Sequence, residues 1–168
     1  FIAAIGNDVT ISLTADINLT TSTTAAGNST GIVISGFTGL VVDGNGFSID
    51  GGRNMRCLYI GGKIRRSAEV EINDLTITNG FGPWYGGVSV GGRANVTFND
   101  CQITSSTAHQ APHVTQGDGG GVYVYGAAAT VAFNDCRITS NTASGGGGVF
   151  VAVGAVTFNN CQITSNKA

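Results

Sequence analysis

The chain has 168 residues, with 27 glycines, 2 prolines, only 11% charged residues and a net charge of −2, a turn-rich composition at single-domain length. No basic run is long enough to follow a phosphate backbone, the densest cluster being Lys63, Arg65 and Arg66, so nucleic-acid binding is disfavoured. Hydrophobic residues reach 42%, yet no stretch approaches the ~18 apolar residues of a membrane-spanning helix.

Residues 1–39 open without Met and without a basic segment followed by an apolar run, so any signal peptide has been removed or was not included. Within them Val9-Thr-Ile-Ser-Leu13, Ile17-Asn-Leu19 and Gly31-Ile-Val-Ile-Ser35 are short apolar runs rich in Thr. They read as an atypical first coil or cap of a repeat protein.

From Leu40 one unit recurs. Leu40-Val-Val-Asp-Gly-Asn-Gly-Phe-Ser-Ile-Asp50 is its loosest copy, and Val70-Glu-Ile-Asn-Asp-Leu-Thr-Ile-Thr-Asn-Gly80 is closer. Three nearly superposable copies follow: Val96-Thr-Phe-Asn-Asp-Cys-Gln-Ile-Thr-Ser-Ser106, Val131-Ala-Phe-Asn-Asp-Cys-Arg-Ile-Thr-Ser-Asn141 and Val156-Thr-Phe-Asn-Asn-Cys-Gln-Ile-Thr-Ser-Asn166. Between them lie Gly-rich links and the short runs Leu58–Ile60, Val88–Val90, Val122–Tyr125 and Val149–Val151, three of them directly after paired glycines.

The shared Ile recurs at steps of 28, 26, 35 and 25 residues, an underlying period of about 25 residues with one insertion of about ten near 108–118. Apolar and polar residues alternate within each run, the phase resetting at the Asn-Asp turn, so the runs are strands. Three short strands in such a repeat leave no room for a crossover helix. They must close into a coil that pairs in parallel with the next.

Like residues then stack on like residues. The expected inward ladders are Phe98/Phe133/Phe158, Cys101/Cys136/Cys161 and Ile77/Ile103/Ile138/Ile163, with Val96/Val131/Val156 beside them. Asn99/Asn134/Asn159 and Asp100/Asp135/Asn160 form turn ladders that pass hydrogen bonds between coils. The chain is therefore an all-β parallel β-helix, a single domain over residues 1–168 with regular coils from 40 onward. It stops at Ala168 directly after a complete strand, which suggests a piece of a longer solenoid or an end that stacks on another chain.

With these motifs in view, residues from about 9 to 168 resemble the pectin-lyase-like right-handed β-helix superfamily. The Gly-Gly-Val…Phe-Asn-Asp-Cys-x-Ile-Thr-Ser-Asn coil is similar to polymorphic outer-membrane-protein and adhesin-type repeats. The resemblance implies the architecture and an extracellular or cell-surface setting. It leaves function open, because this fold hosts lyases, hydrolases, epimerases, spikes, adhesins and fibres.

Cys101, Cys136 and Cys161 occupy the position of Leu75 in the preceding coil and read as core, with at least one free thiol, since three members cannot pair completely. Cys57 falls on another side of the coil, and no C-x-x-C spacing suggests zinc. Both histidines, His109 and His113, lie in the insertion with Asp118. With Trp84 and Tyr123 they form a possible ligand loop, Tyr85 and Tyr125 being further aromatic rings for sugar stacking. Lyases of the resembling fold use acidic Ca²⁺ ligands and a Lys or Arg base. Here the stacked acids Asp100 and Asp135 are explained by their turn, and no catalytic or metal-binding set assembles.

The outward column Thr78/Thr104/Thr139/Thr164 reads as ordinary β-propensity, because its neighbouring rank is mixed. Asn18, Asn28 and Asn95 head N-x-S/T sequons, with Asn28 and Asn95 in apparent turns.

The reading is a structural or adhesive solenoid module of a secreted or surface protein, needing no cofactor. It would meet other chains through coil ends or lateral faces. The alternative is a polysaccharide-binding or polysaccharide-modifying β-helix.

Overall fold

The structure, a computed structural model, describes residues 8–19, 30–61, 67–109 and 117–168. The described chain is all β, without helix, and its parallel strands stack into a β-solenoid of about 5 turns. His113, Asn28, Lys63, Arg65 and Arg66 lie outside the described residues.

The first turn consists of β1 (Val9–Ser12), β2 (Ile17–Asn18) and β3 (Thr30–Ser35), and the second of β4 (Leu40–Asp43), β5 (Ser48–Asp50) and β6 (Arg56–Gly61). The third adds a two-residue strand: β7 (Ala68–Asn73), β8 (Thr76–Thr78), β9 (Phe81–Gly82) and β10 (Val88–Gly91). After these come β11 (Ala94–Asn99), β12 (Gln102–Thr104), β13 (Thr107–Ala108), β14 (Val122–Asn134), β15 (Arg137–Thr139), β16 (Val149–Asn159) and β17 (Gln162–Thr164).

Three lateral stacks result. One runs β1-β4-β7-β11 into the second half of β14 and of β16; another runs β2-β5-β8-β12-β15-β17; the third runs β3-β6-β10 into the first halves of β14 and β16. In the last coils two of the expected short strands are fused. β14 continues through Gly126-Ala-Ala-Ala129 as one 13-residue strand, and its pairing with β16 shifts register between Val124 and Thr130. Small residues let this corner stay extended instead of closing into a turn.

The turns average about 28 residues, above the period of about 25, because the insertion lengthens one coil. Register nevertheless aligns the repeats. Ile49, Ile77, Ile103, Ile138 and Ile163 pair in succession, as do Phe98, Phe133 and Phe158. The Phe rings stack at 4.9 and 5.3 Å. The first two are fully buried, as are Ile77, Ile103 and Ile138. At ~1.5–3 kcal/mol for each fully buried large side chain, these columns are the main stabilising contribution.

The Asn ladder spans four coils. Asn99 Nδ2 donates to Asn73 Oδ1 at 2.8 Å, Asn134 to Asn99 at 2.8 Å, and Asn159 to Asn134 at 2.7 Å. The next position adopts left-handed backbone in every coil: Asp74, Asp100, Asp135 and Asn160 have φ between 47° and 54°. Asp and Asn tolerate that region better than most residues. Asn160 Nδ2 donates to Asp135 Oδ1, removing the repulsion that a third carboxylate would bring.

A second polar ladder runs inside the solenoid. Ser106 and Asn141 are fully buried. Asn141 Oδ1 accepts from the Ser106 amide at 2.9 Å, its Nδ2 donates to the Ile103 carbonyl at 2.9 Å, and Asn166 Nδ2 repeats the motif on Ile138 O at 2.8 Å. The paired glycines before β14 and β16 pack against this ladder. A Cβ at Gly121 would stand 2.6 Å from Gly148 O, so only glycine permits the close approach.

Candidate functional site

The two polar stacks present Thr, Asn, Gln, Glu and Arg outward, among them Glu69, Glu71 and Arg137. The third stack differs. Its outward positions, in register, are Val33, Tyr59, Ser89, Tyr123 and Phe150. Onto this row folds the link between β9 and β10, which contributes Trp84 and Tyr85.

Tyr85 stacks on Tyr123 at 4.6 Å, and Tyr123 stacks on Phe150 at 5.6 Å with ring planes 6° apart. Tyr125 packs beside them, 5.9 Å from Tyr85 and 5.4 Å from Tyr123. Arg56 lies over the Tyr85 ring, its Cζ 4.2 Å from the centroid, a cation–π contact across coils. Although it carries a charge, Arg56 is only 8% exposed, and burial lowers its pKa. Burial likewise pushes up the phenols of Tyr85, Tyr123 and Tyr125, so they remain neutral hydrogen-bonding hydroxyls at physiological pH.

Glycine makes room for this packing. A Cβ at Gly91 would meet Tyr125 Cζ at 2.5 Å, so the ring lies directly on the strand. Ser89, between Tyr59 and Tyr123, is fully buried despite its outward direction. Trp84 remains 42% exposed at the edge of the face. Its ring is tilted 36° from Tyr85, 6.3 Å away.

The insertion rejoins the coil beside this face, at Asp118. The Asp118 amide donates to the Trp84 carbonyl at 2.8 Å, and Asp118 forms an isolated bridge with Gly145. Asp118 Oδ1 and His109 Nδ1 are buried without hydrogen-bond partners. His109 stacks on Phe81 at 4.3 Å with planes 14° apart, extending a coil-to-coil contact. Of the expected ligand loop, Trp84, Asp118 and Tyr123 come together at one edge. His109 stands on the β9 side. Arg56, Tyr59 and Phe150 complete the face and were not marked by any motif.

No group of three or more His, Cys, Asp or Glu suited to a metal occurs among the described residues. Asp100 is exposed in its turn, as is Asp135. All four cysteines are free. Cys101, Cys136 and Cys161 each donate to a carbonyl of the preceding coil, Ile72 O, Phe98 O and Phe133 O, at 3.3–3.4 Å. That repeated geometry is structural, with every thiol proton engaged. Contact with Cys136 and burial hold Cys101 above the ordinary thiol range, and burial pushes the Cys57 thiol up to about 12.

The sequon positions require one correction. Asn95 is not in a turn but in strand β11, exposed, its Oδ1 accepting from Thr130 Oγ1 at 2.8 Å. The Thr97 of its sequon pairs with the next coil, so the strand phase, and not a loop, decides that the side chain projects. Asn18 closes β2 and is exposed.

No helix among the described residues is long and apolar enough to cross a membrane. Neither a curated protein nor a solved structure matches the chain. A family model does, over residues 1–111, which take in the early coils, the Arg56–Tyr59 strand and the Trp84–Tyr85 link. With more than half of its length matched, the chain belongs to the pectate lyase-like adhesive domain family.

Proposed function

We infer that the solenoid is a non-catalytic adhesive module of a secreted or cell-surface protein, a stiff segment that holds contact surfaces in fixed register. One observation carries this reading: of three lateral faces built from the same repeat, one is aromatic while the others are polar. A coil surface needs no aromatic stack to fold, since its stability comes from the inward ladders. Exposed aromatic surface of this kind marks contact sites. Family membership points the same way.

In this role the partners are other protein chains or carbohydrate, met through the lateral faces and coil ends. Asn18, Asn28 and Asn95 are the sites a secretory glycosylation pathway would modify.

The test is retention under flow. Beads coated with the folded 168-residue chain should hold to intact cells or cell-wall fragments more strongly than beads coated with the urea-unfolded chain. Equal retention of the two, or depolymerisation of polysaccharide by the chain, would overturn the adhesive reading.

A further inference from the structure

We propose that Cys101 and Cys136, stacked on neighbouring coils, form a two-coordinate site for a soft monovalent cation, copper(I), held in line between the two sulfurs. This goes beyond the adhesive reading and does not depend on it.

The geometry of the column carries the site. The residues on either side pair in register, Asn99 with Asn134 and Gln102 with Arg137, so the two cysteines stand one above the other. Both thiols take the same posture. Each reaches a carbonyl of the preceding coil at 3.4 Å, Ile72 O for Cys101 and Phe98 O for Cys136. Each also meets the carbonyl two residues back in its own turn, Asn99 O at 3.2 Å and Asn134 O at 3.1 Å. Like groups in one posture on successive parallel coils are displaced by the coil spacing, ~4.8 Å. Sulfurs so placed are too far apart for a disulfide bond of ~2.05 Å unless the turns move. They suit an ion between them: thiolate bonds to a closed-shell soft ion are about 2.3 Å long, so two in line span roughly 4.6 Å.

The surroundings select the ion. Cys101 and Cys136 are 0% and 1% exposed, and soft sulfur donors favour copper(I) over magnesium, calcium or manganese. Among the described residues no third His, Cys, Asp or Glu gathers with them to make a larger coordination shell. Cys161 continues the line on the far side of Cys136, reaching Phe133 O, so one ion cannot take all three sulfurs. The Cys101 amide donates to Cys136 Sγ at 3.4 Å, a hydrogen bond that favours the thiolate there. On binding, Cys136 releases its proton to solvent and forms one sulfur–copper bond. Cys101 keeps its proton and gives a sulfur lone pair to the second. No electron is transferred, and the single positive charge of the ion cancels the thiolate, so no net charge is buried. Asp100 and Asp135, exposed in the turns directly before the two cysteines, draw a cation to this side of the coil.

Copper(I), supplied as its acetonitrile complex to the folded 168-residue chain under nitrogen and challenged with bathocuproine disulfonate, tests this. Native mass spectrometry should show one copper retained per chain, and X-ray absorption should show a shell of two sulfurs. Cys101→Leu and Cys136→Leu should each lose the copper. Both copy Leu75, which fills the same place in the preceding coil, so far-UV circular dichroism should stay unchanged. Cys57→Ala and Cys161→Leu should retain it. Complete loss of copper to the chelator, retention by Cys136→Leu, equal retention by the urea-unfolded chain, or a shell containing oxygen or nitrogen would overturn the site. Should a leucine variant fail to fold, the absorption spectrum of the unaltered chain decides. Bead retention on cells is read separately, so the adhesive reading stands or falls without the copper result.

Discussion

Replacing Asn141 by leucine keeps the volume of a fully buried side chain but removes its hydrogen bonds. In the native coil the Asn141 carboxamide accepts from the Ser106 amide at 2.9 Å and donates to Ile103 O at 2.9 Å and to Asn166 Oδ1 at 3.1 Å. Leucine leaves the Ser106 N–H buried without an acceptor, at ~1–3 kcal/mol, and loses two further bonds at ~1 kcal/mol each, for roughly 3–5 kcal/mol in total. The fold itself supplies a graded control. One coil earlier the same rung is Ser106, whose Oγ accepts from the Gly80 amide at 3.1 Å and donates to Thr104 O at 3.3 Å. Asn141→Ser should therefore recover the Ser106 contact and lose about half as much. Asn166→Leu, at a half-buried rung of the last coil, should cost least because water reaches the groups it abandons. Urea unfolding followed by far-UV circular dichroism reads all three as shifts of midpoint at constant slope. A loss below about 1 kcal/mol for Asn141→Leu, or serine proving as harmful as leucine, would refute the claim that the ladder's hydrogen bonds, and not its volume, hold the coils in register.

Phe133 lies between Phe98 and Phe158 and is fully buried, whereas Phe158 is 40% exposed; Phe133→Ala should cost ~3–5 kcal/mol and Phe158→Ala markedly less, and similar melting of the two variants would contradict the stacking order. Alkylation followed by intact-mass analysis should add four groups in denaturant without reductant, since all four cysteines are free, and should leave Cys57 and Cys101 unmodified in the folded chain. Two disulfides in the mass would contradict this. The Cys57 thiol is raised from 9.0 to about 12 in the fold, so the unfolded chain ionises first: its contribution to stability is complete below pH 9.0 and is lost as pH rises toward about 12. Melting temperature should fall across that window, less so in Cys57→Ala. The isolated 168-residue chain should self-associate through the coil that exposes Phe158 and Ile163; light scattering of a strictly monomeric chain at high concentration would count against coil ends as contact surfaces.

The architecture was legible because parallel stacking makes a one-repeat offset in sequence equal to a one-coil offset in space. Ile103 and Ile138, 35 residues apart, pair as directly as Ile138 and Ile163, 25 apart, since an insertion in a link leaves strand register untouched. The Phe-Asn-Asp-Cys turn was readable for the same reason, its left-handed residue falling on Asp or Asn each time. The second turn hid its conformation. Ser105, Ser140 and Ser165 take φ of 56–58°, which serine does not advertise, and that reversal sends Ser106, Asn141 and Asn166 inward. Fusion of two strands in β14 was likewise decided by whether Gly126-Ala-Ala-Ala129 turns or stays extended, which local propensity leaves undetermined. The aromatic face depended most on tertiary structure. Tyr59, Tyr123 and Phe150 share one register column, but Trp84 and Tyr85 come from a link and Arg56 from a strand start, and only coil stacking brings them against that column. Sequence sets the period and the inward columns through burial. Which outward residues meet is a property of the closed coil, where link geometry and missing Cβ atoms determine what can lie against the sheet.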